Sequence, residues 1–544
     1  MHGLMMDMPL SVPMMIRRAL TSFSGRPVVH RRPDRAVART TYGDLIPRAG
    51  RLAQALRRLG VRPGDRVATL AWNHARHVEA YFAIPCLGAV LHTLNLRLHP
   101  DDIAFIANHA ADRVILVDKV LWPLWEKVAG RVKPEHVIVM SDDGDAPPGT
   151  LDYEALISGE SDAWSWDDVA EHEAAAMCYT SGTTGAPKGV LYSHRSITLH
   201  ALGLGLVQAF GLSDRDVVLP VVPMFHVNAW GLPFACAFLG SGQVHPGPHL
   251  DPASLLGLLQ DERVTLTAGV PTIWLGILQA LDAAPGTYKL DALHTMVVGG
   301  AAVPESVIRA FRERHGLNVV HAWGMTETSP LGTVSRLTPE LDTASDDVKY
   351  AYRARQGRPM ACVEVRARNE EGLVAWDGAT MGELEVRGPW VARGYYQLYG
   401  TSDRFTSDGW FRTGDVVTID ALGYVTIQDR AKDLVKSGGE WISSVALEGA
   451  LMGHPDVAEA AVVAIAHPRW DERPLALVVV KEGRSVDEAA LRAFLAERFA
   501  KWWVPDAIVR VDAIPKTSAG KFHKSVMREQ FREHYGSGRP AAGG

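Results

Sequence analysis

Residues Tyr42–Thr93 read YGDLIPRAGRLAQALRRLGVRPGDRVATLAWNHARHVEAYFAIPCLGAVLHT, and their alternation of periods decides the fold class. Tyr42–Leu59 carries apolar residues at helical spacing, and Gly60–Gly64 (GVRPG) is a turn. Asp65–Leu70 reads as a strand, His77–Leu87 as a second helix and Ala89–Thr93 as a second strand. Strands alternating with helices predict a layered sheet covered by helices. The pattern continues on both sides of a glycine-rich loop at 180–189. Strand-like runs occur at Val114–Val117, Val137–Met140, Val217–Leu219, Val264–Ala268, Met296–Val298 and Val319–Ala322, with helices over Ser196–Phe210 and Val303–His315. The polar stretches 141–170 and 335–350 read as surface excursions.

The pattern changes after residue 380. Glu383–Arg387 and Tyr424–Ile427 are short β-type segments divided by glycine-rich turns, which predicts a compact antiparallel or barrel-like subdomain. A separate terminal unit starts near Ala431, with strands at Ala460–Ala464 and Leu475–Val480 and a helix over Val486–Phe499. Ser485 and Glu488 are spaced as a capping box for that helix. The expected fold is α/β: a large layered N-terminal domain (1–430) with a β-rich subdomain near 350–430, followed by a small α+β C-terminal domain (431–544).

With 544 residues the chain exceeds one compact core. Its 47% hydrophobic and 22% charged residues are those of an ordinary globular enzyme. A formal net charge of −6 gives no basic stripe for nucleic acid, so no such partner is expected. The longest apolar stretches, Ala80–Leu91 and Ala229–Gly240, hold 12 residues, whereas a membrane span needs about 20. The N-terminal MHGLMMDMPLSVPMMIRR has its arginines after the apolar part, which reads as a mobile or docking arm and not a secretion signal. Cys86, Cys178, Cys236 and Cys362 lie far apart without metal spacing, so packing is the ordinary explanation for each and a reducing cytoplasm is expected.

Two stretches carry chemistry. Thr180–Gly189 is TSGTTGAPKG, a loop of glycines, hydroxyls and one lysine immediately after the apolar run Ala174–Tyr179. Glycines let successive backbone N–H groups turn inward, hydroxyls add small donors, and Lys188 adds charge, a combination suited to polyphosphate in an order unlike Walker A. Far downstream, Pro515–Lys521 (PKTSAGK) holds a lysine on a turn. Gly324-Met325-Thr326-Glu327 is an acidic-hydroxyl turn after a strand, and Glu327 is a hard oxygen ligand suited to magnesium, although a lone glutamate at a turn more often caps a helix. Trp323 offers a face to an adenine or an acyl group, or simply packs. Asp415 in TGD and Arg430 in DRAKD fit ribose hydroxyls and a domain junction, or equally a surface ion pair.

Together with Pro220–Gly231 (PVVPMFHVNAWG), His321–Glu327 (HAWGMTE) and Lys436–Ser443 (KSGGEWIS), these motifs make the chain resemble the adenylate-forming superfamily over essentially its whole length. That superfamily comprises acyl-CoA synthetases, aryl-CoA ligases, luciferases and peptide-synthetase adenylation domains, and the sequence looks most like its bacterial medium- and long-chain fatty acyl-CoA synthetases. The resemblance implies that Thr180, Ser181, Gly182, Thr183, Thr184, Gly185 and Lys188 cradle ATP, with Thr184 and Glu327 organising Mg²⁺. It implies that Gly300, Ala301, Ala302, Trp323, Gly324, Met325 and Thr326 frame the adenine and acyl-adenylate, and that Asp415 takes the ribose with Arg430 nearby. The family commonly has tyrosine where this chain has Trp323, so a hydrogen bond made by a phenol is not expected there.

Lys521 matches the adenylation lysine and Lys432 the hinge of a mobile C-terminal domain. The segment Ser437-Gly438-Gly439-Glu440-Trp441 matches the one that faces the pantetheine path of CoA. His226 is placed at the carboxyl end of the acyl group, with Val227 lining its pocket and Trp230 gating it. The implied reaction is attack of a fatty carboxylate on ATP to give acyl-AMP and pyrophosphate, then thioester formation with CoA. Lys521, Lys188 and His226 are the candidate catalytic residues. A ligase for short thioether or branched acids and an inactive acyl- or nucleotide-binding regulator are the rival readings. A homodimer and peripheral contact with membranes also fit the resemblance and the amphiphilic substrate.

Overall fold

A computed structural model describes residues 1, 3–180, 186–398, 402–437, 440–516 and 521–535, with only the backbone of Glu440. Two large sheets lie in the first two thirds of the chain. One has seven strands and is built on Arg66–Leu70, flanked by Val90–Thr93 and Asp112–Asp118 in parallel register. The other has nine strands and a parallel centre running through Val217–Pro220, Leu266–Gly269, Thr295–Val298 and Val319–Gly324. Central strands buried on both faces read as continuous apolar runs, and Thr295–Val298 is buried at every position.

A five-stranded antiparallel sheet follows, containing Glu364–Asn369, Gly372–Leu373, Gly382–Arg387, Phe411–Ile419 and Val425–Arg430. Its inward residues Val365, Leu384, Val386, Phe411 and Ile419 belong to the same apolar core as Leu45, Tyr81 and Phe234 of the large body. The last sheet pairs Val457–His467 with Asp471–Val480 and buries separate apolar clusters on its two faces.

Four expectations need correction. The N-terminal segment is not an arm throughout: Val12–Ser22 is a helix whose Val12, Met15, Ile16 and Ala19 are fully buried. Its apolar residues recur at helical spacing, so docking on the core outweighs the freedom of a tail. Only the preceding methionines, such as Met5 and Met6, stay exposed. The stretch 141–170 also packs: Tyr153 is buried in the helix Tyr153–Ser158, and Trp164 fills the space over Gly50. The cap of the helix Glu488–Ala496 is Asp487, not Ser485, because the Asp487 side chain accepts the Ala490 amide at 2.6 Å. Of the cysteines, Cys86, Cys178 and Cys236 are buried, whereas Cys362 is exposed, so packing does not account for the last.

Candidate active site

The strands Ala174–Tyr179 and Gly189–Ser193 pair antiparallel with Tyr179 opposite Gly189, so the phosphate-type loop is the connection of a hairpin. Its neck is closed twice: the Thr180 amide donates to the Lys188 carbonyl at 3.0 Å, and the Lys188 amide donates to Thr180 Oγ1 at 3.1 Å. Ser181, Gly182, Thr183, Thr184 and Gly185 lie outside the described residues. Space is tight at Gly189, where a Cβ would stand 3.0 Å from Tyr179 Cζ and 3.2 Å from Tyr396 Cβ.

Beyond the neck, Lys188 Nζ lies 4.9 Å above the ring of Tyr395, and the Tyr395 hydroxyl donates to Glu327 Oε1 at 2.7 Å. Tyr395 thus couples the lysine to the buried carboxylate of Glu327. The Tyr192 hydroxyl fixes the same turn by donating to the Thr326 carbonyl at 2.7 Å. Glycine is obligatory at 324, where a Cβ would fall 1.8 Å from the Pro330 carbonyl oxygen.

These groups line one cavity of about 1350 Å³, together with Gly300, Ala301, Ala302, Met325, Lys432 and Lys521. Trp323 lies over Gly332, where a Cβ would come within 2.4 Å of the indole. Its Nε1–H donates to Asp415 Oδ2 at 2.9 Å. The indole therefore makes the hydrogen bond expected to disappear with the phenol. Arg430 Nε meets Asp415 Oδ1 at 2.7 Å, a pairing set by strand register because Asp415 and Arg430 stand opposite each other. Each carboxylate oxygen retains a second lone pair for a sugar hydroxyl.

Lys521 enters this cavity from the terminal unit. Its Cε is 3.8 Å from where a Cβ on Gly300 would stand, an ordinary contact. Burial and then the Arg430 guanidinium lower its pKa to about 8, against the opposing pull of Asp415 and Glu327. His226 lies in the same field. Burial, followed by the charges of Lys521 and Arg97, pushes it down to about 4, so its imidazole is neutral at pH 7.

After His226 the backbone does what the sequence did not announce. Val227, Asn228, Ala229 and Trp230 take φ of 46°, 50°, 48° and 57°, and Gly231 follows at 73°. A left-handed turn of non-glycine residues costs on the order of 1–2 kcal/mol per residue, so its surroundings must impose it. Asn73 supplies part of that force by accepting the Met224 amide at 2.7 Å while donating to the carbonyls of Pro220 and Val222. The Tyr81 hydroxyl takes the Met224 carbonyl, and the Cys178 thiol donates to Asn228 Oδ1 at 3.2 Å. The turn aims the Trp230 ring at Gly299, where a Cβ would come 3.0 Å from Trp230 Cη2.

The other segment with an expected ligand role is elsewhere. Ser437 and Trp441 belong to the paired strands Val435–Ser437 and Glu440–Ile442 and do not line the cavity. Ser437 Oγ accepts from Arg473 at 3.0 Å, and Lys436 Nζ lies 4.9 Å over the exposed Trp441 ring. Gly438, Gly439 and the Glu440 side chain lie outside the described residues. Lys432 is exposed where the chain leaves the antiparallel sheet. Sequence reasoning missed Tyr395, Asn73, Tyr81 and Tyr192. Only the aromatic pair Tyr395-Tyr396 offered a signal.

The AMP-binding enzyme family matches residues 16–396, and the AMP-binding enzyme C-terminal domain matches 446–521. A long-chain-fatty-acid–CoA ligase of Thermus thermophilus is 50% identical, covering 98% of this chain and 97% of its own. A 3-methylmercaptopropionyl-CoA ligase of Ruegeria pomeroyi is 44% identical (98% and 99% covered), and a medium-chain-fatty-acid–CoA ligase of Ectopseudomonas oleovorans is 43% identical (98% and 98%). Among solved structures, an anthranilate CoA ligase in complex with anthranoyl-AMP superposes with a TM-score of 0.86 at 25% identity, covering 98% of this chain and 99% of that one.

Proposed function

Because this chain belongs to the AMP-binding enzyme family, we propose that it ligates a medium- or long-chain fatty acid to CoA through an acyl-AMP intermediate, releasing AMP and pyrophosphate. The observation that carries this reading is the meeting of Lys521 with Glu327, Asp415, Arg430, His226 and Trp230 around one cavity. The ammonium reaches a pocket whose other groups suit a nucleotide, and its charge is most valuable as negative charge concentrates on the reacting phosphate. Lys188 stands ready for the departing pyrophosphate, and Asp415 and Arg430 orient the ribose. Neutral His226 donates or accepts a hydrogen bond beside the carboxylate without repelling or trapping it.

Glu327 fits magnesium: it is a buried hard-oxygen donor whose Oε1 is oriented by Tyr395. Thr184 and phosphate oxygens would complete the ion's ligand set. When bound, magnesium would neutralise part of the triphosphate charge.

The chain divides at 430/431 in this reading, with Lys432 the pivot of a mobile terminal domain. Turning that domain withdraws Lys521 and brings Ser437–Trp441, including Gly438, Gly439 and Glu440, to the pantetheine path. The curated fatty-acid ligases favour a fatty substrate, while the Ruegeria relative gives a short thioether acid a specific place as second reading. A homodimer and cytoplasmic residence complete the proposal. Among the described residues no helix is long and apolar enough to cross a membrane.

The test is a product-resolved panel of C4 to C16 acids and 3-methylmercaptopropionate with ATP, Mg²⁺ and CoA. Peak turnover at C8 or longer is expected, with AMP and pyrophosphate formed in step with acyl-CoA. A peak on the thioether acid would replace the substrate assignment, and ligand binding without turnover on any acid would remove the enzyme.

A further inference from the structure

Among the contacts that hold the terminal unit on the large body is a buried carboxylate that the proposed reaction does not use. Asp429 lies in the strand Val425–Arg430 of the antiparallel sheet, opposite Val416, and is almost fully buried. Its Oδ2 accepts both the amide of Ser444, at 2.7 Å, and the Ser444 hydroxyl. Ser444 opens the helix Ser444–Met452 of the terminal unit, and its neighbour Ser443 donates to the Gln428 carbonyl. Asp429 Oδ1 accepts the Arg430 amide at 2.7 Å, tying the same carboxylate to the residue that pairs with Asp415.

The connection continues to the reacting lysine. Lys524 Nζ donates to the Ser444 hydroxyl and pairs with Glu448 Oε1 at 2.8 Å, and Glu448 also accepts the Val462 amide. Lys524 follows Lys521 by three residues. The turn bearing Lys521 is closed by the bridge between Lys516 and Phe522 and by the His523 amide on the Pro515 carbonyl at 2.8 Å. Anchoring Lys524 at Ser444 therefore fixes how far Lys521 reaches. Burial pushes the Asp429 carboxyl up, while the Lys524 ammonium and the Ser444 donors pull it back.

A rotation at Lys432 sorts these contacts into two sets. Lys524–Glu448 and Arg528–Asp433 have both ends beyond the pivot and travel together. Asp429–Ser444 and Gln428–Ser443 straddle it and must break.

We infer that Asp429 is a positioning residue, a latch that holds the terminal unit with Lys521 in the cavity and so weights the enzyme toward adenylation over thioester formation. This rests on the acyl-CoA ligase reading above. The latch belongs to one of the two arrangements only, so removing it shifts their populations instead of weakening both.

The test measures two half-reactions on the same preparation: carboxylate-dependent ATP–pyrophosphate exchange, and acyl-CoA formation from supplied acyl-AMP and CoA. Their ratio is independent of the fraction of protein that is folded. In Asp429→Ala the ratio is expected to fall about tenfold, through exchange, in keeping with the loss of a charged hydrogen-bond acceptor. In Asp429→Asn, which keeps an acceptor oxygen for Ser444, it falls by less. Wild-type exchange with an unchanged ratio in both variants would overturn the latch alone. Absence of wild-type exchange with every acid would overturn the ligase reading, and the latch with it.

Discussion

The terminal unit presents two turns, and they live in different surroundings. Lys521 lies within the nucleotide-type cavity, surrounded by protein and depressed in pKa by burial and by Arg430. Trp441, by contrast, is exposed in one of two paired short strands, with the Lys436 ammonium over its face. In the proposed reaction the buried cation serves the first half-reaction and the exposed aromatic the second. In this structure Lys521 lines the cavity and Trp441 does not.

That contrast can be broken most severely at the cation. Lys521→Ala is expected to lower acid-dependent ATP–pyrophosphate exchange by about 10²–10³, the scale of losing one charge aimed at a transition state. Acyl-CoA formation from supplied acyl-AMP should stay within about threefold, and comparable losses in both assays would erase the distinction between the two turns. The pH profile sharpens it further. The Lys521 ammonium is present below its pKa of about 8 and lost above it, so kcat/KM for adenylation should fall by about tenfold per unit at higher pH. His226 is already neutral above about 4 and adds no acidic limb near pH 6. The alkaline limb should be missing from the residual activity of Lys521→Arg, whose guanidinium stays charged.

The exposed turn should respond in the opposite assay. Trp441→Ala is expected to reduce kcat/KM for CoA by about five- to tenfold, as an aromatic anchor contributes on the order of 1 kcal/mol beyond its area, with pyrophosphate exchange unchanged. The smallest effect belongs to the nucleotide wall. Trp323→Phe keeps the face over Gly332 but removes the 2.9 Å bond to Asp415. An ordinary hydrogen bond contributes about 1 kcal/mol net, and Arg430 still holds the other oxygen of Asp415, so KM for ATP should rise roughly three- to fivefold with kcat little changed.

How much of this was legible depended on whether the signal was local. Tyr42–Thr93 announced two layers because its apolar residues change period between helix and strand, and the structure has a helix at Tyr42–Arg58 and a strand at Arg66–Leu70. The phosphate-type loop drew attention because its ten residues are consecutive; the structure describes only its neck, closed between Thr180 and Lys188. The Met-rich N-terminus misled because exposed and buried methionines look alike in sequence, and only the core beneath Met15 separates them from Met5 and Met6. Tyr395, Asn73 and Asp429 act through single tertiary contacts that no periodicity encodes. Lys521 had meaning only through its family likeness, since a lysine on a late turn is ordinarily bathed in water.

The left-handed turn at Val227–Trp230 makes the length of this segment less negotiable than its lettering. Exchanging one side chain there alters bulk at the Trp230–Gly299 contact. Adding or deleting a residue would rotate every later bond of a mirror-image coil and point the indole away from Gly299. Replacements in this run should therefore be tolerated better than indels, which would turn the Trp230 ring away from Gly299.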